Sequence, residues 1–133
     1  MKLSTSFEFD SAHRLVGYEG LCANLHGHIW KCELEIQGKS LDNIGMLWDF
    51  TNAKKLKSMF DHKTILKNCR ENSQLVQVLI DLCGSDSVYL MDRNPTAENL
   101  CSEILKKCKG FNPKLAYKIK VYESPKSYAE DKR

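Results

Sequence analysis

The stretch HGHIWKCELEIQG, residues 26–38, decides how this chain folds. His26, His28, Trp30, Cys32, Leu34 and Ile36 share one parity, and Lys31, Glu33, Glu35 and Gln37 the other. A period of two marks a half-buried strand, because successive side chains point to opposite faces of a sheet. Both histidines stand on the apolar side of this strand. Gly27 between them removes a side chain and eases the backbone. Slightly upstream, LCANLHGHIW at 21–30 adds Cys22. On residue types alone this is either a metal site with a reactive thiol beside it or a group of core residues that happen to fall close together.

Outward from there the same reading continues. In STSFEFDSAHRL (4–15) the residues Phe7, Phe9, Ser11, His13 and Leu15 share a parity, so His13 points with the phenylalanines of a second strand. GKSLDN (38–43) resembles a hairpin connection, and GMLWDF (45–50) reads as a short returning strand. Helical spacing follows in Phe50, Ala53, Leu56, Met59 and Phe60, and again in Leu75, Val76, Leu79, Ile80 and Cys83, with Gly84 at the stop. SVYLMD (87–92) is a short strand. Asn94 and Pro95 look like an N-cap and first helical residue, ahead of a stripe of Ala97, Leu100, Cys101, Ile104, Leu105 and Cys108. LAYKIKVYE (115–123) is the last strand, and AEDKR (129–133) is expected to fray. The order β-β-β-α-α-β-α-β predicts an α+β fold, a mainly antiparallel sheet with helices on one face.

Composition limits the function. The chain has 133 residues, 42% hydrophobic and 28% charged, which suits one soluble domain able to bury a core without staples. The net charge of +3 is spread over scattered lysines with no basic and aromatic interleaving, so no nucleic-acid partner is expected. No apolar run approaches the roughly 20 residues that span a bilayer, and charges interrupt the N-terminus too early for a signal peptide. The reading is a cytoplasmic protein without a membrane partner, its six cysteines reduced and forming no CxxC pair. Cys32, Cys83, Cys101 and Cys108 lie on apolar faces as core residues. Cys22 sits instead in a glycine-bearing loop.

Histidines at i and i+2 on one strand, joined by His13 from a neighbouring strand, make three neutral imidazoles. Three protein ligands with a fourth position open is the pattern of a catalytic zinc, although iron or nickel also accept imidazoles. Nearby zinc and a general base can stabilise a Cys22 thiolate. Glu123 ends the last strand on its apolar parity, where it is either solvated or bonded to a ligand. His62 directly follows Asp61.

FDSAHRL, CANLHGH, GMLWDF, FDHK, NPTAENL and VYES occur in the order and approximate register of the 6-pyruvoyl-tetrahydropterin synthase and 6-carboxytetrahydropterin synthase family, which the chain resembles over nearly its whole length. The resemblance implies the tunnelling fold, or T-fold, whose sheets join into a barrel in a homohexamer, a dimer of trimers with active sites between subunits. It implies His13, His26 and His28 as Zn2+ ligands and Cys22 as general base. Asp61 and His62 would complete proton transfer from an adjacent subunit, and Glu123 would anchor the pterin. Thr96 is implied as a weaker substrate contact, with Glu98 beside it and Asp49 structural. The implied substrate is a small pterin triphosphate, 7,8-dihydroneopterin triphosphate. The three residues between Cys22 and His26 are similar to the bacterial carboxy branch, which serves 7-deazaguanine and queuosine synthesis; animal pyruvoyl enzymes carry a longer gap. Residues 1–133 then form a single pterin synthase-like domain, with 63–93 a longer insertion than in compact members. The alternatives are a 6-pyruvoyl-tetrahydropterin synthase, a non-catalytic zinc- or pterin-binding protein, or another pterin or purine enzyme on this fold.

Overall fold

The computed structural model describes residues 1–133. Strands β1 (Lys2–His13) and β2 (His26–Gln37) form a long antiparallel pair joined by twelve residues. Helix α1 (Thr51–Phe60) leads into β3 (Lys63–Lys67), and α2 (Ser73–Cys83) into β4 (Val88–Met91). Helix α3 (Ala97–Phe111) precedes β5 (Ala116–Ser124) and β6 (Ser127–Lys132). All six strands join one sheet in the order β4-β3-β1-β2-β5-β6.

The alternation read from the sequence sets the two faces. Phe7, Phe9, Ser11 and His13 of β1, Trp30, Cys32, Leu34 and Ile36 of β2, and Tyr117, Ile119 and Val121 of β5 are all buried. Helices α1 and α3 cover that face with Ala53, Leu56 and Phe60, and with Leu100, Cys101, Ile104, Leu105 and Cys108. Phe9 stacks on Trp30 and on Phe60, with ring centroids 6.2 and 5.3 Å apart. The other face carries ion pairs such as Lys2–Glu35, Lys31–Glu33 and Lys118–Glu130.

Five local expectations need correction. GMLWDF is not a strand: residues 45–50 run through turns and bends and pair with no strand of the sheet, while Leu47 and Trp48 are both buried. They are tucked in by a turn in which Asp42 Oδ1 accepts the Ile44 and Met46 amides. Gly38 allows this packing, since a Cβ there would lie 2.5 Å from both Leu47 and Leu115 side-chain carbons. The 63–93 stretch holds two strands rather than one, and β1–β3 and β3–β4 pair in parallel, so the sheet is mixed. AEDKR does not fray: it lies largely within β6, where Tyr128 packs on Tyr122 and Glu130 pairs with Lys118. Asn94 is not the α3 cap; Thr96 is, its Oγ1 accepting the Asn99 amide. Cys83 is exposed, because α2 lies at the sheet margin and buries none of its residues fully. Asp49 has the structural role expected, accepting the Thr51 amide at the start of α1.

Ile104 lies at the centre of the α3 stripe and is wholly buried. Truncation to alanine should cost roughly 2–5 kcal/mol through lost transfer energy and the cavity left behind. Urea unfolding of Ile104→Ala measures this; a loss under about 0.5 kcal/mol, the range of neutral surface changes, would contradict the packing described.

Candidate metal centre

The site arises where β1 ends and β2 begins. Their register pairs Phe9 with Trp30, Ser11 with His28 and His13 with His26. Opposed residues share a face, so three imidazoles meet at the mouth of the strand pair. One ring nitrogen of each lies within 4.8 Å of the others. His13 is buried and His26 and His28 are half-buried. The edge of the group rests on Trp30, whose ring centroid is 5.1 Å from that of His13 and 5.3 Å from that of His28.

Hydrogen bonds fix how the rings face. His13 Nδ1–H donates to the Pro95 carbonyl and His26 Nδ1–H to the Asn24 carbonyl, each at 2.8 Å. A neutral imidazole has one N–H, so both Nε2 atoms present bare lone pairs. Those two atoms are 3.0 Å apart. Lone pairs that close repel unless a cation lies between them. Nitrogens held at roughly 2.0–2.1 Å by one tetrahedral zinc sit about 3.3 Å apart, close to this spacing. His28 Nε2 is buried with no hydrogen-bond partner and stands 3.4 Å from Glu123 Oε1. The donor set therefore fits a metal ion of the zinc class: three convergent imidazoles and a carboxylate beside them.

Burial holds the His13 pKa below the usual imidazole value, outweighing the Pro95 hydrogen bond that favours the proton. Burial lowers His28 too, against the pull of Glu123. Both rings are thus neutral near pH 7, the state that can ligate a metal.

The remaining expected residues fall in distinct places. Cys22 lies half-buried in a short 3-10 turn (Leu21–Ala23), and the loop is closed at its base by Leu15 N–H donating to the Cys22 carbonyl at 2.9 Å. Its thiol belongs to neither cluster of metal-ligating atoms. Thr96 is occupied as the α3 cap, one residue after the carbonyl that orients His13. Asp61 and His62 form a second cluster with Asp10, whose exposed side chain alternates with buried Phe9 and Ser11. They therefore lie on the sheet face opposite the three imidazoles. Asp61 Oδ1 accepts the Asp10 amide at 3.0 Å and stands 3.1 Å from His62 Nδ1. That amide bond chiefly holds the Asp61 carboxyl below its usual range. His62 is the single non-glycine residue with positive φ, 58°. Gly27 is not sterically required, since a Cβ there would meet only the Ser11 carbonyl oxygen at an ordinary 3.6 Å. Sequence reasoning missed the Pro95 and Asn24 carbonyls, as backbone acceptors leave no mark in residue types. It also missed Asp10, which reads as an ordinary exposed strand residue.

A mixed six-stranded sheet with helices packed on it and three imidazoles at the end of its central hairpin define a T-fold protein with a candidate metal centre. The family model described as 6-pyruvoyl tetrahydropterin synthase matches residues 2–133, so the chain belongs to that family. It is 33% identical to the 6-carboxy-5,6,7,8-tetrahydropterin synthase of Rickettsia felis, covering 98% of this chain and 99% of that one. It is 31% identical to the Haemophilus influenzae protein of the same name, covering 97% and 96%. Among solved structures, an uncharacterised protein of Wolinella succinogenes has the same fold at TM-score 0.76 and 20% identity, covering 98% of this chain and 97% of that one. The Caenorhabditis elegans 6-pyruvoyl tetrahydropterin synthase superposes at TM-score 0.66 and 22% identity, covering 100% and 95%.

The lowered histidine pKa values carry a sign. Between the folded values and about 6.5 the unfolded chain binds more protons, so stability rises with pH across that window. The urea midpoint of metal-stripped protein should be level above pH 7 and fall as pH drops below about 6.5. A midpoint unchanged down to pH 5.5 would contradict the buried, neutral placement of His13 and His28.

Proposed function

We propose that the protein is a zinc-dependent 6-carboxy-5,6,7,8-tetrahydropterin synthase, a lyase that converts 7,8-dihydroneopterin triphosphate to 6-carboxytetrahydropterin, acetaldehyde and triphosphate for 7-deazaguanine and queuosine synthesis. The observation that carries the metal reading is the 3.0 Å approach of the bare His13 and His26 Nε2 atoms. The choice of branch rests on relatives of that name, 31–33% identical over nearly the whole chain. The three-residue spacing from Cys22 to His26 points the same way.

His13, His26 and His28 would hold the zinc, which when bound supplies a Lewis acid that polarises the substrate's side-chain oxygens and acidifies the adjoining C–H. Cys22 takes up and passes on that proton as general base. Glu123 lies at the rim beside His28, where its two oxygens match the paired N–H donors of a pterin's amino-pyrimidine edge. Asp61 orients His62 through the Oδ1–Nδ1 contact and leaves His62 Nε2 free to exchange a proton with a thiol. Thr96 contributes to the pocket wall.

Asp61 and His62 lie on the face opposite the imidazoles of their own chain, so they would serve the site of a neighbouring copy. This supports sites shared between subunits; the assembly we propose is a homohexamer, a dimer of trimers. Leu21 is 85% exposed, and Leu25 and Ile29, either side of the histidine pair, are also open. These apolar side chains suit burial by a second subunit. Residues 1–133 act as one domain in this reading, and all six cysteines are free, consistent with a reducing cytoplasm.

Incubation of zinc-loaded protein with dihydroneopterin triphosphate, followed by mass spectrometry, should yield 6-carboxytetrahydropterin and acetaldehyde. 6-Pyruvoyltetrahydropterin would move the protein to the other branch, and no turnover by zinc-loaded protein would leave a binding protein. Cys22→Ala should keep its zinc and lose turnover by about 10²–10⁴-fold, the scale of a removed acid-base group. Wild-type rates in that variant would remove Cys22 from the mechanism.

A further inference from the structure

We infer that Asn94 is a positioning residue for the histidine site, acting through the Pro95 carbonyl; the inference rests on reading that site as a metal centre. Asn94 uses both ends of its amide on one residue. Its Oδ1 accepts the Val16 N–H at 2.9 Å, and its Nδ2–H donates to the Val16 carbonyl at 2.8 Å. The side chain thus pairs with the segment after β1 as a neighbouring strand would. Asn94's own carbonyl accepts two further bonds, from the Thr96 amide at 2.9 Å and Asn99 Nδ2 at 2.8 Å. Residue 94 is therefore tied to the β1 exit on one side and to the first turn of α3 on the other.

Pro95 follows directly, is buried, and accepts His13 Nδ1–H at 2.8 Å. Its ring fixes φ, and the Thr96 N–H bond back to the Asn94 carbonyl closes a three-residue turn over Pro95 that restricts its ψ, so little freedom remains in the aim of its carbonyl once Asn94 is anchored. His13 lies three residues before Val16. The contacts close a ring: His13 leads through the backbone to Val16, Val16 to the Asn94 amide, and Asn94 through Pro95 back to the His13 imidazole. This ring sets the His13 tautomer and the direction of Nε2, the two properties that a partner on the far nitrogen controls in a metal-bound histidine.

A simple capping role does not account for Asn94, because Thr96 caps α3. The double contact to Val16 needs a donor and an acceptor on one short planar group, which asparagine supplies. Aspartate keeps the acceptor and loses the donor; alanine loses both.

The test measures metal binding rather than turnover. Zinc affinity by chelator competition, and the d–d spectrum at saturating cobalt(II), are compared for wild type, Asn94→Ala, Asn94→Asp and the core variant Ile104→Val. Asn94→Ala should weaken zinc about 10–100-fold and shift the cobalt bands, as loss of a partner to a metal-bound histidine does. Asn94→Asp should fall between it and wild type. Ile104→Val, a core change that is no part of the ring of contacts, should bind as wild type. Wild-type affinity and spectrum in Asn94→Ala, or in Asn94→Asp should the alanine variant fail to fold, would overturn the inference. Equal weakening by Ile104→Val would also overturn it, since the effect would then follow general stability. Wild-type protein that binds neither zinc nor cobalt would instead overturn the metal reading itself.

Discussion

The register between β1 and β2 is the constraint on which the remaining structure depends. It opposes Phe9 to Trp30, Ser11 to His28 and His13 to His26. A one-residue slip of either strand would turn its histidines to the other face and its core aromatics into solvent. Core packing and site assembly are therefore one choice. Phe9 and Trp30 select the register by burying their rings, and the histidines further along the same pair come to the open end together. The hydrophobic effect, which has no direction of its own, here brings directional ligands into place.

From that pair the fold builds outward in both directions. β5 continues the apolar face beyond β2, and α1 and α3 close it. β3 and β4 extend the other edge in parallel, and the Asp61–His62 turn joins the two sides of the molecule where His62 N–H donates to the Asp10 carbonyl at 2.7 Å. His62 takes a left-handed backbone conformation, φ 58°, as the chain turns from α1 into β3. The same element that bolts α1 to β1 thus presents Asp61 and His62 on the exposed face, while the imidazoles gather at the end of the covered one. A single protomer places the two groups apart, on opposite faces of the sheet.

Much of this was legible in the sequence, for a physical reason. Alternation in 26–38, 4–15 and 115–123 is enforced by a single buried face, and it located three strands, the core and the shared parity of the histidines. The α1 and α3 stripes were legible likewise. β3 was missed because KTILK is short and carries two adjacent fully buried residues, Ile65 and Leu66, with no period to read. β6 was missed because SYAEDK contains almost no apolar residue and is held by cross-strand contacts. Leu47 and Trp48 misled because an apolar plug and a short strand have the same composition. Within the site, side-chain ligands could be nominated from residue type, whereas the Pro95 and Asn24 carbonyls and the Asn94 contacts exist only once the chain is folded. The face on which Asp61 and His62 stand also required the β1 register.

X-ray absorption spectroscopy of the zinc-loaded protein tests most directly that this register builds a three-imidazole metal centre. The expected first coordination sphere is three histidine nitrogens at about 2.0–2.1 Å completed by oxygen, with no sulfur. A zinc–sulfur distance of about 2.3 Å, or fewer than three imidazoles around the metal, would contradict it.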